Sequence, residues 1–201
     1  MPLPRPSPRH LPMLALALLV VWSALLGRPA ASGLGPPFAP TPTPAAAVAA
    51  PERADGGLAR ALDRFMRRAV PESPLVGLGR VFAREGRAAR VDPRLLVAIA
   101  LQESRLGTAG SGPAARNAFG WGPAIRFASW PAGIRTVARG LRRDYLARGR
   151  DTIAAIAPVW APTGAPNDRA GINGGWEAAI SARYAELGGD PWSTVALPPE
   201  A

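Results

Sequence analysis

The sequence predicts an all-α fold: apolar residues recur at helical spacing, no segment alternates like a β-strand, and Gly- and Pro-rich loops separate the helices. The most apolar helix begins at Asp92 and Pro93, which suit the N-cap and the first helical position. Gly107 suits a left-handed cap at its end. Because residues 95–101 offer no polar face, we predict that this is the central helix, buried by the others.

Amphipathic helices are predicted on both sides of this central helix. Residues 52–70 and 75–82 carry apolar side chains at helical spacing. After the following loop, one apolar stripe is formed by Ile134, Val137, Ala138, Leu141 and Tyr145. A short helix over residues 151–157 is predicted to stop at Pro158, and a last helix covers residues 173–187.

The chain divides into four predicted segments. Residues 1–32 have the basic start, apolar run and small residues of an export signal, and the run is short for a membrane span of about 20 residues. Cleavage is therefore favoured over a retained anchor. Residues 33–51 are rich in Pro, Ala and Thr and predict an extended linker. Residues 52–192 form the folded domain, and residues 193–201 a flexible tail. The domain is expected outside the cytoplasm, either secreted or attached to the cell envelope.

The composition excludes several kinds of chemistry. The chain has no Cys, its one His is His10 inside the predicted signal, and all 24 basic residues are Arg. Cysteine nucleophiles, Ser-His-Asp triads, His-ligated metals and Lys Schiff bases are therefore excluded, and no metal or organic cofactor is implied. An enzyme built from this chain depends on carboxylate chemistry.

The charge balance favours anionic polymers as partners. The formal net charge is +10, and residues 1–32 contain Arg5, Arg9 and Arg28 and no acid, so their removal leaves +7. Such a surplus, concentrated in the Arg-rich helix over residues 130–148, suits anionic wall polymers. Export argues against nucleic acid as the partner. The alternative is that the arginines only solubilise an Ala-rich fold.

Glu103 is the candidate catalytic acid. It stands at the end of the apolar helix, just ahead of a Gly-rich loop. A carboxyl group carried on a buried helix into the floor of a groove is disfavoured as an anion, which suits a general acid. The alternative is that Glu103 pairs with Arg105 or another Arg at the helix end.

Two segments carry a resemblance to known enzymes. Residues 92–104 (DPRLLVAIALQES), followed by residues 117–122 (NAFGWG), resemble the catalytic core of bacterial peptidoglycan glucosaminidases and, more distantly, lytic transglycosylases and goose-type lysozymes. The stretch WAPTGAPND at 160–168, with Asn173 and Trp176, is similar to the glucosaminidase-like branch, whose members include mannosyl-glycoprotein endo-β-N-acetylglucosaminidase-like domains. The resemblance covers about residues 70–190.

The resemblance implies a lysozyme-like helical domain with a loop-lined groove, in which Glu103 protonates the glycosidic oxygen. The residues it and the local chemistry assign to substrate contact are Ser104, Asn117, Phe119, Gly120, Trp121, Tyr145 and Trp160. Asn117, Phe119 and Gly120 would hold the acetamido group and the sugar edge. For Phe119 and for Trp121, Trp130 and Trp160, contact with sugar and burial in the core both remain open. For Tyr145 burial is favoured, although its hydroxyl could reach the groove.

A second catalytic carboxylate is harder to identify. The candidates are Asp144, Asp151, Asp168 and Glu177. Asp168 is favoured among them, although turn formation at residues 166–168 is an adequate non-catalytic explanation for it. Many relatives supply an acid from a strand-rich lobe after the Asn-x-Phe-Gly loop, and residues 122–130 leave almost no room for one. Either the substrate's N-acetyl group acts as the nucleophile, or activity is low or lost.

The sequence therefore predicts an exported glycosidase, monomeric, that cleaves the β-1,4 glycan backbone of peptidoglycan as an N-acetylglucosaminidase. Two alternatives are a non-catalytic peptidoglycan-binding module and a lytic transglycosylase. A membrane-active role for the Arg-rich helices is the weakest reading, because the core needs their apolar faces.

Overall fold

A computed structural model describes residues 44–122, 124–166, 168 and 171–199 of the chain, with side-chain exposure from residue 56 onward. The predicted export signal (1–32) and the first part of the predicted linker (33–43) lie outside the described residues. Within the described ranges the structure is helical and has no β-strand, so the all-α class is confirmed. None of the described helices combines the length and hydropathy needed to cross a bilayer.

The described ranges contain α-helices and two 3-10 turns in a single succession. The α-helices are α1 (Pro44–Ala69), α2 (Gly79–Ala89), α3 (Pro93–Ser104), α4 (Gly112–Ala115), α5 (Trp130–Asp144), α6 (Ile153–Trp160) and α7 (Trp176–Glu186), and the 3-10 turns are Leu146–Arg148 and Ile172–Gly175. α2 packs between α1 and α5, while α7 packs on α3 and α6.

The core surrounds α3. Every side chain from residue 95 to residue 100 is fully buried, as the missing polar face predicted. Asp92 caps the helix by accepting the Arg94 N–H at 2.8 Å, and Pro93 occupies the first turn. The same carboxylate accepts the Tyr184 hydroxyl at 2.8 Å, so the start of α3 is tied to α7.

α3 ends in an unusual left-handed turn. The sequence predicted the left-handed residue at Gly107, but three residues in succession have positive φ: Arg105 at 49°, Leu106 at 56° and Gly107 at 81°. Two serines hold this turn. Ser104 Oγ accepts the Gly107 N–H at 2.8 Å, and Ser73 Oγ donates to the Leu106 carbonyl at 2.7 Å. Residues 105–107 thus adopt a strained backbone conformation that hydrogen bonds of Ser104 and Ser73 stabilise, and this turn sets the point at which the chain leaves the core after α3.

Two helix boundaries differ from the prediction. α1 begins at Pro44, inside the segment 33–51 predicted to be extended, because alanines follow a proline suited to the first helical turn. α6 continues through Pro158 to Trp160. Pro158 removes only the hydrogen bond to the Ala154 carbonyl, and Ala154 is exposed, so solvent can replace that bond.

Residues 194–197 are docked on the domain, which corrects the prediction of a flexible tail over residues 193–201 for this part of it. Val195 is fully buried; its N–H donates to the Asp151 carbonyl at 2.7 Å and its carbonyl accepts the Asp92 N–H at 2.8 Å. Ala196 forms an isolated antiparallel bridge with Val91. The apolar Val195 inserts into the core beside the start of α3, which the polar and Pro-rich surroundings in the sequence concealed.

Candidate active site

A cavity of about 410 Å³ opens where α3 ends. Its volume lies within the range of small-ligand sites, about 300–1,000 Å³. The lining residues are Gln102, Glu103, Gly120, Trp121, Gly122, Tyr145, Trp160, Ala161, Pro162, Ile172, Asn173 and Trp176. They come from the ends of α3, α5 and α6, the loop before α5, and the turn that leads into α7.

Glu103 is held in this cavity by two tryptophans. Its Oε1 atom accepts the indole N–H of Trp160 and that of Trp176, each at 2.8 Å. The sequence predicted that this carboxyl group lies on the buried floor of a groove. Glu103 is instead exposed to solvent, because the last turn of α3 emerges from the core. Arg105, offered as an ion-pair partner, lies instead 3.6 Å from Glu72. Within the described residues, Glu103 makes no salt bridge.

The second oxygen of Glu103 lies beside Gly120. Gly120 has a φ of +61°, and a Cβ placed on it would lie 3.2 Å from Glu103 Oε2. Among the described residues, no group donates a hydrogen bond to Oε2. The two oxygens therefore differ: Oε1 is occupied by two donors, and Oε2 is open on the side of Gly120.

Four aromatic rings form one cluster in the cavity wall, centred on Trp160. The Trp160 ring centroid lies 5.5 Å from that of Trp121, 5.8 Å from that of Tyr145 and 6.0 Å from that of Trp176. Trp160 and Trp176 are nearly parallel, at 26°. These distances are those of favourable aromatic pairs, so the cluster is a preformed wall.

The loop 117–122 is organised by Asn117 rather than left open for ligand. Its Nδ2 donates to the carbonyls of Trp121 at 3.0 Å and Ile125 at 3.2 Å, and its Oδ1 accepts the N–H of Trp121 at 3.1 Å. The Trp121 ring lies against Gly140 of α5, where a side chain would overlap it. Asn117 thus positions Trp121 and Gly120 at the cavity without lining it.

Several other residues predicted to contact substrate are placed in the framework. Ser104 is buried and donates to the Ala118 carbonyl at 2.8 Å. Phe119 is buried in the core. Trp130, for which sugar contact and burial were both left open, packs against Gly107 in the turn after α3. Of the predicted contact residues, Gly120, Trp121, Tyr145 and Trp160 line the cavity with Glu103.

Tyr145 reaches the cavity from the end of α5. Burial raises the pKa of its phenol above the ordinary value, and the neighbouring Asp144 carboxylate raises that pKa further. The hydroxyl is therefore a neutral hydrogen-bond donor and acceptor over the whole physiological range.

None of the four candidates for a second carboxylate lines this cavity. Both oxygens of Asp168, the favoured one, accept backbone N–H groups: Gly164 donates at 3.2 Å and Asn173 at 3.1 Å. Asp144 pairs with Arg143, whose guanidinium holds the pKa of that carboxyl below its usual range. Asp151 accepts the Thr194 hydroxyl at 3.2 Å, and Glu177 lines a separate cavity.

The described part of the chain has no cluster of three or more His, Cys, Asp or Glu side chains arranged for a metal ion. The same ranges place one carboxylate, Glu103, among the residues that line this cavity.

Sequence reasoning left out Trp176 as a site residue. It was assigned to the apolar stripe of the last helix, and it is indeed buried, yet its indole N–H points at Glu103. Asn173 and Gln102 also line the cavity unpredicted. Trp176 and Asn173 both stand in the segment that carries the resemblance, which was the one available signal for them.

Comparison with known proteins adds nothing to the description of this cavity. No family model matches the chain, and the comparison with curated proteins finds no match.

Proposed function

We propose that this protein is an extracytoplasmic peptidoglycan glycosidase of the N-acetylglucosaminidase type, with Glu103 as its general acid. One observation carries the proposal: a single carboxylate stands in a cavity walled by four aromatic rings, with one oxygen bonded to two indoles and the other open. The lysozyme-like character of the helical domain belongs to the same proposal.

The different hydrogen bonding of the two Glu103 oxygens indicates which of them would carry the catalytic proton. Oε1 already accepts two N–H groups, so a proton on the carboxyl group resides on Oε2. From there it passes to the glycosidic oxygen as the C1–O bond breaks, and positive charge develops on the sugar ring. The resulting Glu103 carboxylate, whose Oε1 remains bonded to Trp160 and Trp176, stabilises that charge.

The aromatic wall suits a sugar chain. Pyranose rings have apolar faces and polar rims, and indole rings pack well against such faces. Trp121 and Tyr145 flank Trp160 in the wall, while the amide side chains of Gln102 and Asn173 line the same cavity. These amides are the available partners for hydroxyl and acetamido groups.

A second candidate function, lytic transglycosylase, is favoured by the single carboxylate. Hydrolysis requires a group that activates water or an N-acetyl group that attacks C1. Transglycosylation uses the substrate's own C6 hydroxyl: its oxygen forms the new bond to C1, and its proton returns to Glu103. Atoms balance without a second protein carboxylate, and no water is consumed.

The decisive experiment is release of soluble fragments from purified sacculi. Glu103→Gln keeps the shape and both indole hydrogen bonds but removes the acid, and we expect a loss of roughly 10²–10⁴-fold. Glu177→Gln is the matched control, because Glu177 is exposed and lines a different cavity. Co-sedimentation with sacculi and no release by the unaltered chain would instead show a binding module.

Product masses separate the two catalytic candidates. Hydrolysis yields reducing sugar ends that carry one oxygen from water, so digestion in ¹⁸O-water labels them. Transglycosylation yields anhydro ends that are lighter by one water and carry no label. A finding that neither product forms contradicts both.

A further inference from the structure

Beyond the cavity, an arginine-rich surface covers α2 and α5. These helices carry three and four arginines and only one carboxylate each. We define the arginine face by Arg80 and Arg84 of α2 with Arg135, Arg139 and Arg142 of α5. Four of the five are exposed and Arg142 is partly exposed.

One buried carboxylate joins the two rows. Glu85 of α2 is buried, and it accepts from Arg84 of the same helix at 2.7 Å and from Arg135 of α5 at 3.3 Å. Because both guanidiniums converge on this group, the arginine rows of α2 and α5 lie side by side. At that point the two guanidinium groups share one buried carboxylate.

The guanidinium groups of the other three arginines are not paired with a carboxylate of the described chain. Within the described residues, Arg80, Arg139 and Arg142 form no salt bridge. Arg135, Arg139 and Arg142 follow one another at i, i+4 and i+7, which places them on one helix face at intervals of about 6 and 4.5 Å along the axis. A row of that kind suits a ligand whose negative charges recur, rather than one small anion.

We infer that the arginine face binds an anionic polymer linked by phosphodiesters, such as a poly(glycerol phosphate) of the cell wall. Guanidinium groups donate paired hydrogen bonds to phosphate oxygens. Phosphodiesters and arginines both keep their charge at acid and neutral pH, so binding does not depend on a titration.

The face has the wrong composition for a membrane. Its large exposed side chains are arginines, and the exposed large apolar residues of the described chain, Ile125, Val159, Ile172 and Trp192, lie on neither α2 nor α5. Surface-binding helices insert apolar side chains between lipids. The face also carries no exposed aromatic ring on which bases could stack.

The binding test uses the full chain and synthetic poly(glycerol phosphate), with affinity measured by calorimetry at several salt concentrations. Arg80→Gln, Arg139→Gln and Arg142→Gln together should weaken binding at least roughly tenfold and flatten the log–log salt dependence by about 2, at about 0.7 per lost phosphate contact. The control combines Arg105→Gln, Arg126→Gln and Arg183→Gln, which removes the same charge from other helices and loops. This control variant should retain most of the affinity of the unaltered chain for poly(glycerol phosphate).

Equal weakening by both triple variants would overturn the inference, since it would show a response to net charge alone. Tighter binding to poly-glutamate, to anionic lipid vesicles or to duplex DNA than to poly(glycerol phosphate) at equal charge would also overturn it. Circular dichroism of both variants checks that they are folded. Because the readout is binding, failure of the glycosidase proposal leaves this test intact.

Discussion

The environment of the Glu103 carboxyl group is set by a missing side chain at one oxygen and by two hydrogen-bond donors at the other. Gly120 has no side chain, and this leaves Oε2 open, while Trp160 and Trp176 direct their N–H groups at Oε1. Two kinds of substitution therefore test the site, one by closing the open oxygen and one by releasing the bonded oxygen.

Gly120→Ala should abolish most activity. The new Cβ would lie 3.2 Å from Oε2 and narrow the approach of the glycosidic oxygen. Gly110→Ala is the matched control, because its φ of +62° equals the +61° of Gly120 but no atom lies near its Cβ position. Both variants should lose about 1–2 kcal/mol of stability from the left-handed backbone. Sacculus release together with urea denaturation measures both effects; equal activity losses would refute the role of Oε2.

Trp176→Phe should lower kcat by roughly 10- to 150-fold and change KM little. The phenyl ring retains most of the buried volume but cannot donate to Glu103 Oε1, and a hydrogen bond to a charged group contributes about 1.5–3 kcal/mol. Steady-state kinetics on soluble glycan fragments measures the split. Trp192→Phe, at a ring that is 84% exposed and outside the cavity, should change neither constant. A rise in KM alone would show that Trp176 contacts substrate rather than positioning the acid.

At the scale of the elements, the start of α3 is fixed by parts of the chain far away in sequence. Asp92 accepts the Tyr184 hydroxyl of α7, and its N–H donates to the Val195 carbonyl in the C-terminal segment. α3 carries Glu103 at its other end, so the same contacts that anchor the helix set the position of the acid.

Val195→Ala should destabilise the protein by about 2 kcal/mol, since it removes two buried methyl groups. Val159→Ala makes the same chemical change at a residue that is 45% exposed on α6, and should cost less than about 0.5 kcal/mol. Chemical denaturation gives both free energies of unfolding. A cost at Val195 as small as that at Val159 would show that the C-terminal segment is not docked in solution.

Apolar spacing and capping chemistry predicted α3 and the amphipathic helices around it, although not α4 or the start of α1, because burial of α3 and the Asp92 cap are local properties of sequence. The position of Glu103 at the end of α3 was predicted in the same way, but not its exposure to solvent. Trp176 and the docked Val195 could not be found locally, because their roles come from contacts with residues more than 40 positions away. Asn117 was identified as important, but its side chain is used to shape the loop.

For the whole molecule, alkaline stability should depend on two side chains. The chain has no Cys, no Lys and two tyrosines. Burial, followed by the Asp92 carboxylate, raises the pKa of Tyr184 far above its ordinary value, and burial raises that of Tyr145. Above pH of about 10 the unfolded tyrosines ionise while the native ones keep their protons. The unfolded state then binds fewer protons, and stability falls as pH rises.

Because of Tyr184, the free energy of unfolding should fall with pH, and between pH 10 and 11.5 the slope should approach about 1.4 kcal/mol per pH unit. Arginines remain charged in this range. Tyr184→Phe should remove most of this slope while lowering stability at pH 8, and Tyr145→Phe should remove less. Urea denaturation at several pH values measures it. A slope unchanged in Tyr184→Phe would contradict the assignment.

The order in which the site's parts occur along the chain has a consequence for biosynthesis. The acid at position 103 leaves the ribosome more than 70 residues before its last donor at position 176. A nascent chain therefore carries the carboxylate without the partners that orient it. The finished arrangement arises only when nearly the entire sequence has been made, so a nascent chain that ends before position 176 lacks the oriented carboxylate that the proposed reaction requires.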